Sequence, residues 1–117
     1  MKLLYKTHFD AAHSLPDYQG DCSRLHGHTW YLEFEFYFPG MPGKTGMFID
    51  FKDLKEIIEY YIKKYYDHRL LNENIENPTA ENLVKHLYDL IKPKFNPLKT
   101  IRLWESPTYG VEYGGEE

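Results

Sequence analysis

Apolar and polar residues alternate most regularly over residues 26–38. One phase of this segment carries imidazole, aromatic and aliphatic side chains, namely His26, His28, Trp30, Leu32, Phe34, Phe36 and Phe38. The other phase carries Tyr31, Glu33, Glu35 and Tyr37. Successive side chains of a strand point to opposite faces, so this pattern predicts a strand with one buried face. A less regular alternation from Leu3 to about Ala12 predicts an earlier strand, with Phe9 and His13 in one phase.

The middle of the chain has the periodicity of helices. The i, i+3, i+4, i+7 spacing of Leu54, Ile57, Ile58, Tyr61, Ile62 and Tyr65 predicts an amphipathic helix that begins near Asp50 or Asp53. A second helix is predicted by Leu83, Leu87, Leu90 and Ile91, with caps in Asn77-Pro78-Thr79 and a stop at Pro93. Residues 100–105 and 109–113 then predict two strands around a turn.

The element order is therefore ββααββ, which predicts an α+β fold in a single domain over residues 1–117. Both helices are expected on one face of an antiparallel sheet. That arrangement leaves the second face and two edges of the sheet without cover. Uncovered faces and edges favour self-association, so a homo-oligomer is expected.

Composition narrows the class of protein. With a net charge of −4, the chain lacks the overall basic character of a nucleic-acid-binding protein. One cysteine cannot form a disulfide within the chain, which favours a reducing compartment. No segment approaches the roughly 20 consecutive apolar residues of a membrane-spanning helix. The apolar run among the first residues is shorter than that of a signal peptide. We therefore expect a cytoplasmic protein without a membrane or nucleic-acid partner.

The pattern His26-Gly27-His28 places two imidazoles side by side on the apolar face of a strand. His13, at the end of the neighbouring predicted strand, could supply a third ring nitrogen. Three neutral nitrogen donors and an open position are typical of a catalytic zinc site. Spacing alone does not choose between zinc, iron and copper. The alternative is that all three are core histidines bonded to the backbone.

Cys22 lies four residues before His26 and has three interpretations. In the first, Cys22 is a nucleophile or base near the metal, and nearby positive charge favours its thiolate. In the second, it is a fourth ligand that closes a structural His₃Cys site. In the third, it is an inert thiol.

Two further features carry ionisable groups. Asp67-His68 follows the first predicted helix and forms an acid/base pair if the two side chains converge; the alternative is a polar helix end. Glu105 continues the phase of Ile101 and Leu103, so its carboxylate is expected to point inward. An inward carboxylate needs a partner, either an internal Lys or Arg or a ligand with paired N–H donors. His8 and His86 have no functional signal.

The motifs in combination resemble one family. Phe9-Asp10-Ala11-Ala12-His13, Cys22-Ser23-Arg24-Leu25-His26-Gly27-His28, Asp67-His68, Asn77-Pro78-Thr79-Ala80-Glu81 and Glu105 occur in this order. This set resembles the 6-pyruvoyl-tetrahydropterin synthase and 6-carboxy-tetrahydropterin synthase family. The resemblance implies the tunnelling fold, in which ββααββ units assemble into a barrel, commonly as a hexamer. The three residues between Cys22 and His26 look like the 6-carboxy branch, which feeds 7-deazaguanine (queuosine-type) synthesis.

The resemblance also implies residue roles. His13, His26 and His28 are the implied zinc ligands. Cys22 is the implied general base or proton relay, working with Asp67 and His68. Glu105 is the implied anchor of the pterin ring, and Thr79 is a further implied substrate-binding residue.

The activity so implied is that of a zinc-dependent lyase. It converts 7,8-dihydroneopterin triphosphate to 6-carboxy-5,6,7,8-tetrahydropterin with release of triphosphate and acetaldehyde. The alternatives are a 6-pyruvoyl-tetrahydropterin synthase, an enzyme that cleaves the pterin side chain to a 6-hydroxymethyl product, and a non-enzymatic metal-stabilised binding module. Two positions depart from the family pattern: Ser14 stands where a basic residue is often found, and Arg69 where relatives carry another histidine.

Overall fold

Two long antiparallel strands form the centre of the sheet. A computed structural model describes residues 1–115, in which β1 (Lys2–His13) pairs with β2 (His26–Tyr37) in unbroken register from Lys2↔Tyr37 to His13↔His26. The register follows from the sequence, because it places the apolar phases of both strands on the same face. The two strands therefore bring His13 and His26 directly opposite each other.

The remaining strands extend this centre on both sides. A two-residue strand, β3 (Arg69–Leu70), runs parallel to β1, and the last two strands, β4 (Leu98–Trp104) and β5 (Gly110–Tyr113), continue antiparallel from β2. The sheet order is β3-β1-β2-β4-β5. The four long strands agree with the predicted ones, with ends that differ by one or two residues. The short parallel strand β3 was not predicted, because two residues show no periodicity.

Two helices begin where the sequence predicts. The first, α1 (Phe51–Tyr65), starts after Asp50, whose carboxylate accepts a hydrogen bond from the Lys52 amide at 2.9 Å. The second, α2 (Ala80–Ile91), starts after Thr79 and ends two residues before Pro93. Side-chain caps of this kind satisfy amide groups that lack an intrahelical partner. Both predicted helices are thus confirmed.

One face of the sheet and both helices share a single core. Its fully buried members are Phe9, Trp30, Leu32, Phe34, Phe36, Leu54, Ile58, Ile62, Tyr66, Leu71, Leu83, Leu87, Ile91, Leu98, Ile101 and Leu103. The two helices are also joined by a polar contact, in which the Tyr66 hydroxyl lies 2.7 Å from His86 Nδ1. His86, which the sequence predicts to be a surface or local structural residue, therefore links α2 to the end of α1.

The opposite face of the sheet is polar. Arg102 contacts Glu33 at 3.4 Å, Glu35 at 3.2 Å and Glu112 at 2.7 Å. The Thr100 hydroxyl, Lys2 and Arg102 hold the pKa of Glu35 below its usual value, against a smaller opposing effect of burial. This face is uncovered by any helix of the described part of the chain.

Neither the length nor the hydrophobicity of the helices in residues 1–115 matches that of a membrane-spanning helix. The last two residues of the predicted domain, Glu116 and Glu117, lie outside the described residues.

Candidate metal centre

Three histidines converge where β1 ends and β2 begins. His13 Nε2 lies 3.1 Å from His26 Nε2, and the His28 ring centroid lies 4.8 Å from that of His26. The ligand atoms of these three residues and a carboxylate oxygen of Glu105 all lie within 4.8 Å of one another. The strand pairings explain the cluster, because His13 faces His26 and Ala11 faces His28. The structure thus brings the three predicted ligands to one point.

Hydrogen bonds to the backbone define the tautomers of two of these rings. His13 Nδ1–H donates to the Pro78 carbonyl and His26 Nδ1–H donates to the Arg24 carbonyl, each at 2.7 Å. A carbonyl oxygen only accepts, so in a neutral ring the proton sits on Nδ1 and Nε2 carries a lone pair. The two Nε2 lone pairs then point toward each other at 3.1 Å. Such an arrangement is unfavourable without a cation or a proton between them.

His28 brings a third ring nitrogen to the cluster. Its Nε2 is buried and lacks a well-oriented hydrogen bond within residues 1–115, although Glu105 Oε1 lies 3.0 Å away. Burial lowers the pKa of both His13 and His28, which favours their neutral forms. A metal ligand must be a neutral imidazole, so the group fits a metal ion. The backbone carbonyls on Nδ1 are the outer partners that orient such ligands.

Glu105 follows β4 and reaches the edge of the histidine cluster. Ile101 and Leu103 are buried, and Glu105 keeps their phase with a side chain that is 32% exposed. The sequence predicted that the inward carboxylate of Glu105 needs a partner. That partner is His28, whose Nε2 lies 3.0 Å from Glu105 Oε1, with His13 Nε2 at 4.0 Å, rather than a lysine or arginine. One side of the carboxylate therefore remains open to a ligand.

Cys22 lies apart from the three rings. It occupies a short 3-10 turn, Asp21–Ser23, with an exposed side chain. Its sulfur is outside the group of ligand atoms that lie within 4.8 Å of one another. In this conformation of the chain, Cys22 is not a fourth ligand.

Asp67 and His68 converge with each other. Asp67 Oδ2 lies 3.0 Å from His68 Nδ1, and Asp67 Oδ1 accepts a hydrogen bond from the Asp10 amide at 3.1 Å. Burial acts to raise the pKa of Asp67, but the Asp10 amide and His68 outweigh it and hold that pKa below its usual value. Among the described residues the pair forms a second group with Asp10, separate from the histidine cluster. Asp10 is a residue that sequence reasoning missed; its only signal was its polar position in the exposed phase of β1.

Thr79 directly follows Pro78, whose carbonyl binds His13 of the histidine cluster. Its hydroxyl accepts a hydrogen bond from the Asn82 amide at 3.1 Å and caps α2. Within residues 1–115 this hydroxyl acts only as an acceptor, so its hydrogen is available to a ligand.

The chain is similar to a known protein family and to curated relatives. The family model described as 6-pyruvoyl tetrahydropterin synthase matches residues 2–116. The chain is 35% identical to the dihydroneopterin monophosphate aldolase of Pyrococcus furiosus over 116 residues, 95% of each chain. It is 31% identical to the 6-carboxy-5,6,7,8-tetrahydropterin synthase of Synechocystis over 121 residues, 97% of this chain and 93% of the relative.

A solved structure supports the fold. The 6-pyruvoyl tetrahydropterin synthase of Caenorhabditis elegans superposes with a TM-score of 0.86 at 21% identity, covering 99% of this chain and 96% of that chain. The tunnelling fold that the sequence motifs implied is confirmed.

Proposed function

This chain belongs to the 6-pyruvoyl tetrahydropterin synthase family, and we propose that it is a zinc-dependent lyase that converts 7,8-dihydroneopterin triphosphate to 6-carboxy-5,6,7,8-tetrahydropterin. Triphosphate and acetaldehyde are the other products. The observation that carries the proposal is the cluster of three imidazoles whose Nε2 atoms face one point, in a chain similar over nearly its whole length to a 6-carboxy-5,6,7,8-tetrahydropterin synthase.

The chain's own residues divide the work of holding the metal and the ring. His13, His26 and His28 hold the zinc, which when bound lowers the pKa of substrate hydroxyls and stabilises negative charge on oxygen. The carboxylate of Glu105 accepts hydrogen bonds from the ring N–H and amino group of the pterin, two parallel donors that match its two oxygens. Thr79 contributes a hydroxyl to the same substrate.

Proton transfer falls to Cys22 and the Asp67–His68 pair. Asp67 occupies Nδ1 of the imidazole at 3.0 Å, which leaves Nε2 as the nitrogen that accepts or donates a proton. The side chain of His68 is 77% exposed, so Nε2 is accessible to a substrate. Cys22, also exposed, acts as base or relay in the same step.

The active form in this proposal is an oligomer, the hexamer that the family resemblance implies. Within one chain the Asp67–His68 pair forms a group with Asp10, which lies in the exposed phase of β1, whereas His13 lies in the buried phase. A second copy that supplies its pair to the histidine cluster would complete the site. The uncovered sheet face, whose acidic side chains are already paired with Arg102, is suited to line the barrel. Light scattering should give a mass several times 14.0 kDa, and a folded monomer at micromolar concentration would contradict the proposal.

A second candidate activity is cleavage of the side chain of dihydroneopterin monophosphate. The similarity to the Pyrococcus furiosus aldolase favours it, since that match covers 95% of both chains. Ser14, in place of a basic residue, is compatible with a substrate that carries fewer phosphates.

The cytoplasmic location of the protein stays a prediction.

Product analysis separates the two activities. The zinc-loaded protein is incubated with 7,8-dihydroneopterin triphosphate or with the monophosphate, and the products are identified by mass spectrometry. The lyase proposal expects 6-carboxy-tetrahydropterin from the triphosphate, whereas the alternative expects a 6-hydroxymethyl pterin from the monophosphate. A His28→Ala variant is the control for metal-independent breakdown. Unchanged substrates in both incubations would contradict both activities.

A further inference from the structure

The main chain of Asp10 holds both members of the Asp67–His68 pair. Its N–H donates to Asp67 Oδ1 at 3.1 Å, and its carbonyl accepts from the His68 N–H at 2.6 Å. His68 adopts a φ of +58°, a left-handed conformation that non-glycine residues rarely adopt. The pairing of β3 with Ala11 and Ala12 continues directly from these bonds. The strained position of His68 is therefore maintained by its attachment to β1 at Asp10.

The side chain of Asp10 has a separate set of contacts. Asp10 Oδ1 accepts a hydrogen bond from Thr29 Oγ1 at 2.5 Å, and the two residues face each other across β1 and β2. One oxygen of Asp10, one of Asp67 and a ring nitrogen of His68 lie within 4.8 Å of one another. The imidazole of His68 thus has two carboxylates beside it, one of which is held in place by a hydroxyl from the neighbouring strand.

We propose that Asp10 is a positioning residue for His68, and that its carboxylate, held by Thr29, stabilises the imidazolium formed when His68 Nε2 accepts a proton. The proton-transfer role of His68 rests on the proposed function. The proton arrives on Nε2, and the resulting positive charge is offset by Asp67 at Nδ1 and by Asp10. The strand that carries the metal ligand His28 also carries Thr29, so the same strand pair supports both groups.

Other ionisable groups lie near the pair. Arg69 and His28 line the same cavity of about 550 Å³ as Asp10 and His68, and the positive charge of Lys63, on α1, acts on Asp67. Arg69 and Lys63 bring positive charge to this region, and the carboxylate of Asp10 supplies a negative charge that offsets part of it. Removal of this carboxylate is therefore expected to lower the proton affinity of His68.

The direct test is a titration of His68 by NMR in zinc-loaded protein with ¹³C-labelled histidine rings. The resonance of His68 is identified by its loss in His68→Gln. Asp10→Asn, which keeps the shape but removes the charge, should lower the proton affinity of His68 about 3- to 10-fold, because an opposite charge at this separation has that order of effect in a partly exposed site. Asp53→Asn removes the same charge from an exposed position on α1 and should leave the titration unchanged. An unchanged His68 titration in Asp10→Asn would overturn the proposal.

Thr29 provides a second variant should Asp10→Asn fail to fold. Thr29→Val removes the hydroxyl that holds the carboxylate and should lower the proton affinity of His68 in the same direction, whereas Thr29→Ser should restore it. Wild-type titration in Thr29→Ser would identify the hydroxyl, rather than the methyl group of threonine, as the part that holds the carboxylate. Equal titrations in Thr29→Val and wild type would also count against the proposal.

Kinetics then connects the pair to the reaction. In Asp10→Asn, kcat should fall about 10- to 100-fold with KM within about twofold, since an orienting partner acts on the proton transfer rather than on substrate binding. An unchanged kcat would refute the catalytic part of the inference. The absence of turnover in wild type would instead contradict the proposed function, while the His68 titration would still decide the role of Asp10.

Discussion

Glu105→Gln separates two roles that the structure permits for one carboxylate. Glu105 lies on a different strand from the histidines, yet its Oε1 lies 3.0 Å from His28 Nε2 and 4.0 Å from His13 Nε2. The carboxylate can therefore contact a pterin, the metal or both. The substitution keeps the size of the side chain, removes its charge and turns one acceptor into an NH₂ donor.

We expect the main effect on pterin binding. A charge-assisted hydrogen bond contributes about 1.5–3 kcal/mol, and Glu105→Gln loses one such bond while placing a donor against a donor. Affinity for the pterin ring should therefore weaken roughly 10- to 1000-fold. Zinc affinity should fall by no more than about 10- to 100-fold, because the three imidazoles remain and only a neighbouring charge is lost.

Two titrations measure these effects independently. Fluorescence of pterin without a side chain reports ring binding in fully zinc-loaded protein, so that contacts between the metal and side-chain hydroxyls do not contribute. Competition with a chelator reports zinc affinity. Glu56→Gln, on an exposed position of α1, is the matched control and should behave as wild type. Equal pterin affinities in Glu105→Gln and wild type would refute the anchoring role, and a loss of zinc affinity beyond about 100-fold would identify Glu105 as a ligand instead.

Four further predictions concern other residues. His26→Ala and His28→Ala should each remove most of the approximately one zinc per chain, measured by elemental mass spectrometry; full zinc content in both variants would refute the assignment. Cys22→Ala should retain zinc and substrate binding but turn over at least about 100-fold more slowly, the usual scale for a lost proton-transfer group, whereas joint loss of zinc and activity would indicate a ligand. Burial lowers the pKa of His86 in the folded protein, so the unfolded chain binds a proton at this residue more readily. The folded state is therefore favoured by neutral His86 above the ordinary pKa of about 6.5, and this contribution to stability is lost as the pH falls below that value. Urea unfolding between pH 7.5 and 5 should therefore show a smaller loss of stability in His86→Gln than in wild type. Tyr66→Phe should lower the free energy of unfolding by about 0.5–1.5 kcal/mol at neutral pH, because it removes the hydrogen bond to His86. Identical pH dependence in His86→Gln and wild type would contradict a neutral, half-buried His86 ring.

The sequence by itself determined the elements and which residues share a face. Strand alternation placed His26 and His28 beside Trp30 and Leu32 on the buried side of β2, and that placement holds in the structure. Helical spacing located α1 and α2 together with their caps. These features are local, because the period of two or 3.6 residues is set by the backbone within a few residues.

Only the tertiary structure decided how these elements serve a site. The bond from His13 to the Pro78 carbonyl joins residues 65 apart in the chain, and the bond from Asp10 to Asp67 joins residues 57 apart. No periodicity encodes such contacts, because they depend on how the helices pack across the sheet. The same packing brought Glu105 to His28 and set the Asp67–His68 pair with Asp10 rather than with the histidine cluster. Residue types and phases predicted which groups could act, whereas long-range packing decided which of them meet.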